Sequence, residues 1–125
     1  MADGNLERIQ SGYEAFGRGD IPAVLDIFAD DIDWNVTEVL PQGGQLHGKD
    51  EIGGFFERLP TIWEGLSLDV DDFVASGDRV CVIGRASGTH DGKQMSYGFV
   101  HAWTLSDGDA TRFDEYADPP PELYR

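Results

Sequence analysis

The hydrophobic period of this 125-residue chain changes near its middle, at Leu66. Before Leu66 apolar residues recur every three or four positions, which is typical of helices, and from there on they alternate with polar residues, which is typical of strands. The alternating part contains four strand candidates, residues 66–76, 79–89, 93–105 and 110–117. Helices followed by consecutive strands predict an α+β domain whose sheet is antiparallel.

Three helices are predicted in the first half of the chain. Apolar spacing places the first between residues 6 and 16 and the third between residues 47 and 59, just before a proline. The second begins at Asp20, a candidate N-cap, and ends at residues 30–31. A strand is expected at 31–36 and a loop at 37–46. The apolar positions are Leu6, Ile9, Tyr13, Phe16, Val24, Leu25, Phe28, Ile52, Phe55, Phe56 and Leu59.

The charge balance of the chain argues against a nucleic-acid partner. Acidic residues outnumber basic ones by 24 to 9, and the formal net charge is −15. A chain of this charge repels a phosphate backbone. We therefore expect no nucleic-acid binding.

Cysteine usage and hydropathy indicate a cytoplasmic protein. The single cysteine, Cys81, lies in an apolar run and can form neither an internal disulfide nor a thiolate metal cluster. No segment approaches the roughly eighteen apolar residues of a membrane span, and the N-terminus lacks the regions of a secretory signal. His47, His90 and His101 are too scattered to predict a metal site.

The strand pairing depends on two Asp-Gly turns, HDG at 90–92 and SDG at 106–108. A two-residue turn would place His101 opposite Asp114, whereas a three-residue loop with a glycine bulge would place it opposite Phe113. We favour the second register because it separates large side chains from small ones. One face then carries Cys81, Ile83, Arg85, Ser87, Met95, Tyr97, Phe99, His101, Trp103, Phe113 and Glu115. The other carries Val80, Val82, Gly84, Ala86, Gly98, Val100, Ala102 and Thr104.

The aromatic face predicts a pocket with converging polar groups rather than a solid core. Its polar members are His101, Glu115 and Arg85. A carboxyl group among aromatic rings loses solvation as an anion, so it can hold or take a proton near neutrality, and a histidine beside it can exchange or orient a proton. The alternatives are a histidine that satisfies a hydrogen bond in the core and a structural ion pair between Glu115 and an arginine.

The chain resembles the SnoaL-like and ketosteroid isomerase-like proteins of the nuclear transport factor 2-like superfamily. The resemblance rests on Tyr13 and Phe16 followed by GRGD, on ADDIDW, on HGKDEI, and on FVHAWTLSDG followed by EYAD. It implies a cone-shaped α+β fold, in which N-terminal helices pack on a strongly curved antiparallel sheet and enclose an apolar pocket. The domain would span residues 1–118, and residues 119–125 would form a proline-rich, extended tail.

The resemblance also implies roles for four residues. Glu115 is similar to the acid or base on the last strand, His101 to the histidine beside it, and Arg85 to an arginine that orients carboxylates in the epoxide hydrolases. The acid expected two residues after that arginine is Ser87 here. Tyr13 is similar to the helix-one tyrosine that donates to substrate in the isomerases. Because the isomerase base has no counterpart near Val36, strict steroid isomerase activity is not expected.

Three functions remain open from the sequence. The first is a cofactor-independent isomerase-, cyclase- or hydrolase-like enzyme acting on a small hydrophobic carbonyl or epoxide compound. The second is a ligand-binding module without turnover, and the third is an interaction domain with a filled core. A homodimer through the small-residue face of the sheet is expected in addition. The residues expected to contact a ligand are Trp34, Phe55, Tyr97, Phe99, Trp103 and Phe113.

Overall fold

The computed structural model describes residues 2–124, and Arg125, the last residue of the predicted tail, lies outside that range. The described part contains three α-helices, six strands and a short 3-10 helix. They are α1 (Ala2–Gly17), α2 (Ile21–Leu25), β1 (Phe28–Val36), β2 (Gly44–His47), α3 (Lys49–Ile62), β3 (Glu64–Ser76), β4 (Arg79–His90), β5 (Lys93–Ser106), β6 (Asp109–Asp118) and the 3-10 helix Pro121–Tyr124.

The six strands form one open sheet in the order β2-β1-β6-β5-β4-β3. Helices α1 and α3 and strands β3 to β6 lie close to their predicted positions. The sheet, however, is mixed rather than antiparallel, because β1 pairs in parallel with β6. The expected loop at 37–46 contains the start of β2, which pairs with β1. The parallel pairing and the extra strand have one cause. Strand β1 pairs with the free edge of β6, the last strand of the chain, and β2 then pairs with β1.

Helix boundaries also differ from the sequence prediction. Helix α2 ends at Leu25, and Phe28 already belongs to β1. Helix α3 continues through Pro60 to Ile62. A proline near the last turn removes only one hydrogen bond, and the amide of Trp63 still donates to the carbonyl of Leu59 over 2.9 Å.

Both Asp-Gly turns are two-residue turns. Asp91 and Gly92 have φ of 52° and 76°, and Asp107 and Gly108 have φ of 53° and 86°. Positive φ at both central residues is the type I′ geometry, which matches the twist of the flanking strands. The three-residue loop preferred from the sequence is therefore wrong at both turns.

A β-bulge changes the register of the second hairpin. Thr104 pairs with Arg112 but Leu105 pairs with Ala110, so β6 carries one extra residue, Thr111. The shift places His101 opposite Glu115, which neither predicted register did. His101 and Glu115 do share the face that the preferred register assigned to them. The bulge and a three-residue loop each shift the pairing of β6 by one residue relative to a regular two-residue hairpin, in opposite directions, so both put the same side chains on the inward face.

The first hairpin has no such bulge, and the predicted faces of β4 are therefore inverted. Val82 lies opposite His101 and Gly84 lies opposite Phe99, so the even-numbered residues of β4 face the helices. Val80, Val82 and Ala86 are fully buried there. The outer face carries Cys81, Ile83, Arg85 and Ser87 instead.

The helices cover one side of the sheet, and the core lies between them. Ile9, Ile52 and Trp63 are buried in this layer together with the inward residues of the strands. The predicted tail is not simply extended, since Pro120 is buried and Leu123 packs against the core. No helix within residues 2–124 is long and apolar enough to cross a membrane.

Candidate functional site

An apolar cavity lies between the helices and the inward face of the sheet. Its volume is about 80 Å³, several times the roughly 10–15 Å³ that one water molecule requires. Most of its wall consists of aromatic and aliphatic side chains. The polar or partly polar side chains at the wall are Tyr13, Trp34, Gln42, Tyr97, His101, Trp103 and Glu115.

His101 and Glu115 form a buried pair in the wall of this cavity. They are 6% and 8% exposed, and His101 Nε2 lies 3.0 Å from Glu115 Oε2. A carboxylate can only accept hydrogen bonds, so Nε2 carries the hydrogen and donates it. The second carboxylate oxygen, Oε1, makes no hydrogen bond with any residue in the described range.

Tyr13 and Trp103 extend this pair into a chain of four residues. The indole Nε1 of Trp103 donates to the Tyr13 hydroxyl over 3.0 Å. The same hydroxyl is hydrogen-bonded to His101 Nδ1. Because an indole nitrogen can only donate, the oxygen of Tyr13 accepts from Trp103 and its proton goes to His101. The chain therefore runs in one direction, from Trp103 to Tyr13, His101 and Glu115.

Aromatic side chains hold the imidazole in place. Phe99 stacks on His101 with ring centroids 4.1 Å apart, and Phe113 meets the ring edge to face at 4.9 Å. Tyr13 stacks on it from helix α1, at 5.8 Å. Contacts on several sides leave the ring little rotational freedom, so its hydrogen-bond partners are preorganised.

A second hydrogen-bonded chain reaches the cavity from another direction. Trp63, at the end of α3, donates from Nε1 to Gln42 Oε1 over 2.9 Å. Gln42 Nε2 then donates to the Tyr97 hydroxyl over 3.1 Å. Gln42 belongs to the segment between β1 and β2, and Tyr97 lies on β5, four residues before His101.

Both cavity tyrosines are held in the neutral form. Burial raises the pKa of Tyr13 well above its usual value, and the charge of Glu115 raises it further against the opposing hydrogen bond from Trp103. Burial and then the charge of Glu115 also raise the pKa of Tyr97. The two phenols thus remain hydrogen-bond donors throughout the physiological range.

Trp34 contributes an unsatisfied donor to the same region. Its Nε1 is buried and has no hydrogen-bond partner among the described residues. The indole stacks on Phe113 with centroids 4.0 Å apart. An unpaired buried N–H costs about 1–3 kcal/mol.

The amino-acid sequence of the chain matches the model of one known protein family. A family model for the SnoaL-like domain matches residues 9–113. The chain belongs to the SnoaL-like family. The matched range contains every residue of the cavity wall and every predicted site residue except Glu115.

Solved structures agree with this SnoaL-like assignment and with the nuclear transport factor 2-like fold. A protein of unknown function with that fold from Burkholderia pseudomallei is 34% identical, has a TM-score of 0.86, and covers 92% of this chain and 91% of its own. TerC, co-crystallised with polyporic acid, is also 34% identical, has a TM-score of 0.84 and covers 92% of each chain. The resemblance inferred from the sequence is confirmed.

A curated relative of this SnoaL-like protein has no known activity. It is an uncharacterised protein of Mycobacterium tuberculosis that is 25% identical over 120 residues, covering 94% of this chain and 92% of its own length. Its similarity therefore indicates no particular reaction.

The structure brings together most of the residues predicted for the site. Tyr13, His101 and Glu115 are joined by hydrogen bonds. Trp34, Phe55, Tyr97, Trp103 and Phe113 line the cavity, whereas Phe99 lies behind His101 and not at the wall. Their catalytic and substrate-binding roles remain predictions.

Arg85 is not part of this site. It lies on the outer face of the sheet, is exposed, and donates to Ser96 Oγ over 3.3 Å. The prediction placed it beside Glu115 because the first hairpin was read with the wrong turn, and a one-residue difference reverses the faces. The expected orienting role therefore has no structural basis, and His101 is the residue that holds the carboxylate.

Gln42 and Trp63 were not predicted as site residues. Gln42 follows Pro41 and precedes two glycines, so its local sequence indicates only a turn. Trp63 fits the apolar positions of a core. Their contact spans 21 residues, and no pattern in the sequence indicates it.

The side chains that the structure describes form no cluster of metal ligands. Within residues 2–124, no three His, Cys, Asp or Glu side chains are placed to hold a metal ion.

The homodimer remains a prediction, but the sheet face of small residues that was proposed to form it does not exist. Val80 and Val82 from that set are buried beneath the helices, while Gly98, Val100 and Ala102 lie on the outer face.

Proposed function

We propose that this SnoaL-like protein is a cofactor-independent acid/base enzyme acting on a small hydrophobic carbonyl or epoxide compound. The observation that carries the proposal is the hydrogen bonding of the Glu115 carboxylate. One carboxylate oxygen is held by His101, and the other makes no hydrogen bond with the described residues although Glu115 lines an apolar cavity. A carboxylate arranged in this way is a base directed at a ligand.

The proposed chemistry is a proton transfer through Glu115 Oε1. With a carbonyl substrate, Oε1 takes a proton from the carbon next to the carbonyl, the C–H electron pair forms a C=C bond to the carbonyl carbon, and the C=O π pair moves to the oxygen to give an enolate. The same oxygen then returns the proton to another carbon. With an epoxide, Oε1 instead takes a proton from water while the water oxygen bonds to a ring carbon and the ring C–O bond breaks, and the resulting alkoxide takes that proton back from Glu115. Isomerase, cyclase and hydrolase reactions share this first step.

His101 supports the carboxylate in this scheme without leaving its place. Its N–H donates to Oε2 and stabilises the ionised form. Tyr13 and Trp103 keep the hydrogen on the required nitrogen, because their hydrogen bonds run in one direction. In this proposal Tyr13 is a positioning residue rather than the donor to substrate that the sequence suggested.

The cavity wall is suited to a ligand with an apolar body. Trp34, Phe55 and Phe113 offer ring faces and edges around the polar groups. The relative TerC was co-crystallised with polyporic acid. Polyporic acid is therefore the first compound whose binding we would measure.

The substitution Glu115→Gln tests the proposal. It keeps the shape of the side chain and removes its ability to take a proton, so turnover of the best substrate from a panel of ketones, lactones and epoxides should fall by about a hundredfold or more. Glu57→Gln, an exposed change on α3, is the matched control. Unchanged turnover in Glu115→Gln would remove Glu115 from catalysis.

The competing function is a binding module that uses the same cavity. It predicts that ligands bind while neither the wild type nor any variant turns them over. Saturable binding of polyporic acid without turnover of any panel compound would favour this alternative over the enzyme.

A further inference from the structure

The Tyr97 hydroxyl is oriented through Gln42 by Trp63, which packs against the Tyr97 ring with centroids 5.8 Å apart but is not hydrogen-bonded to the hydroxyl. The Trp63 indole nitrogen can only donate, so the Gln42 atom 2.9 Å from it must be the carbonyl oxygen. The amide nitrogen of Gln42 then necessarily faces Tyr97, 3.1 Å away. Trp63 is 1% exposed, so water does not compete for this contact.

The hydrogen bond from Gln42 to Tyr97 leaves the hydroxyl proton of Tyr97 without an acceptor in that contact. An amide NH₂ can only donate, so the phenol oxygen of Tyr97 accepts from Gln42. The O–H of Tyr97 therefore remains able to donate to another group. The hydroxyl makes no other hydrogen bond with residues 2–124. Tyr97 is 2% exposed and lines the cavity, so the space open to this proton is the cavity itself.

The hydroxyl of Tyr13, in the same cavity wall, differs from that of Tyr97 in its hydrogen bonding. Its oxygen accepts from Trp103 and its proton goes to His101, so both functions of that hydroxyl are used inside the protein. Of these two cavity phenols, Tyr97 alone keeps a free donor.

We propose that Tyr97 donates a hydrogen bond to a carbonyl oxygen of the ligand, and that Trp63 and Gln42 are positioning residues that direct this donor into the cavity. The inference rests on the proposed function in taking the cavity as the ligand site, and it narrows the substrate class to carbonyl compounds. The cavity then offers a base oxygen on Glu115 and a separate donor on Tyr97. A ketone with an acidic neighbouring C–H satisfies both, since the enolate oxygen would accept from Tyr97 while Glu115 holds the proton.

Two probes of the same shape test the donor without requiring turnover. Cyclohexanone and methylenecyclohexane differ in having an oxygen or a CH₂ group at one position, so only the ketone accepts a hydrogen bond. The measured quantity is the ratio of their dissociation constants, obtained by NMR titration. In Tyr97→Phe the preference for the ketone should fall by about tenfold or less, as expected for one neutral hydrogen bond, while binding of the alkene stays unchanged.

The substitution Gln42→Glu tests the positioning role specifically. A glutamate has the same shape but only accepts, so it would draw the Tyr97 proton away from the cavity, and the ketone preference should fall as in Tyr97→Phe. A role limited to packing would not respond to this change. Tyr116→Phe and Gln45→Glu are the matched controls, since both residues are exposed.

The outcomes separate this inference from the proposed function. If the ketone preference persists in Tyr97→Phe and Gln42→Glu, or if neither probe binds, the inference is overturned, whatever Glu115→Gln does to turnover. If the preference is lost in both variants while no compound is ever turned over, the donor stands and the enzyme proposal fails.

Discussion

His101 lies directly opposite Glu115 across β5 and β6, and its Nε2 donates to Oε2 over 3.0 Å in a site that is almost completely buried. The pairing requires the extra residue of the β6 bulge, because a regular two-residue hairpin would bring Asp114 to this place. The bulge therefore places Glu115 at the cavity and leaves Asp114 on the other face, where it pairs with Arg112 over 2.9 Å. Bulges beside active sites commonly redirect a side chain in this way.

A double-mutant cycle should detect strong coupling between these two residues. His101→Phe leaves a buried carboxylate without its donor and should lower the free energy of unfolding by about 2 kcal/mol. Combining it with Glu115→Leu should cost about 1–3 kcal/mol less than the sum of the single changes, because the unpaired charge is gone. Urea unfolding of the four proteins measures the cycle, and pairing His101→Phe with Glu57→Leu provides a distant control. Additive costs would contradict the interaction.

The histidine tautomers provide a direct test of hydrogen-bond direction. When neutral, His101 should carry its hydrogen on Nε2, because Nδ1 accepts from Tyr13. His90 should carry it on Nδ1, which lies 2.8 Å from the carbonyl oxygen of Ile62. Long-range proton–nitrogen NMR correlations distinguish the two forms, and His90 serves as an internal reference. A neutral Nδ1–H form of His101 would contradict the chain from Trp103 to Glu115.

Alkaline titration should show that the two cavity tyrosines, Tyr13 and Tyr97, ionise only when the protein unfolds. Burial raises the pKa of Tyr13 and Tyr97 above the usual value of 10.0, so the folded protein retains protons that the unfolded chain releases. Their contribution to stability is thus fully present below pH 10 and is lost as the pH rises above it. Phenolate absorbance of Tyr13 and Tyr97 should appear only together with the loss of near-ultraviolet circular dichroism. Phenolate formation at Tyr13 or Tyr97 before unfolding would argue against their burial.

Two glycines on neighbouring strands should respond differently to alanine. A Cβ at Gly84 would lie 2.4 Å from the carbonyl oxygen of Asp69 and 2.9 Å from the ring of Phe99. Gly84→Ala should therefore destabilise the fold by about 1–3 kcal/mol and displace the ring that supports His101. A Cβ at Gly98 meets nothing closer than 3.7 Å, so Gly98→Ala is the control and should change stability by less than about 0.5 kcal/mol. Equal effects in thermal unfolding would contradict the close packing at Gly84.

The homodimer expected from the family can be tested on the outer face of the sheet. Ile83, Val100 and Tyr116 lie side by side there on three strands and are 40%, 37% and 61% exposed. If two copies associate through this surface, Val100→Glu should shift the sedimentation coefficient of the protein to that of a monomer. Val39→Glu, at an exposed valine in the segment before β2 that is 41% exposed, should leave the association unchanged. A wild-type protein that sediments as a monomer would remove the dimer.

The helices and strands were predictable because the interactions that define them are local. Hydrophobic spacing located α1, α3 and the four strands β3 to β6 to within a few residues, and Asp20 is indeed the N-cap of α2, accepting from the amide of Ala23. The short strand β2 was missed because Gln45 and His47 face solvent and show no apolar pattern. Residues expected to line a pocket were also largely identified, since aromatic side chains on one face of a strand must be buried together.

The sequence alone thus determined the family, the order of elements, and the presence of a histidine and a carboxylate on one inward face. Tertiary structure decided which groups meet. The β6 bulge sets His101 against Glu115, and the turn of the first hairpin places Arg85 on the opposite face. Hydrogen bonds from Trp103 and Trp63 fix the orientation of the Tyr13 hydroxyl and the Gln42 amide. These features depend on single-residue shifts in register and on partners far apart in the chain, and neither leaves a periodic signal in the sequence because each arises only when separate elements pack together.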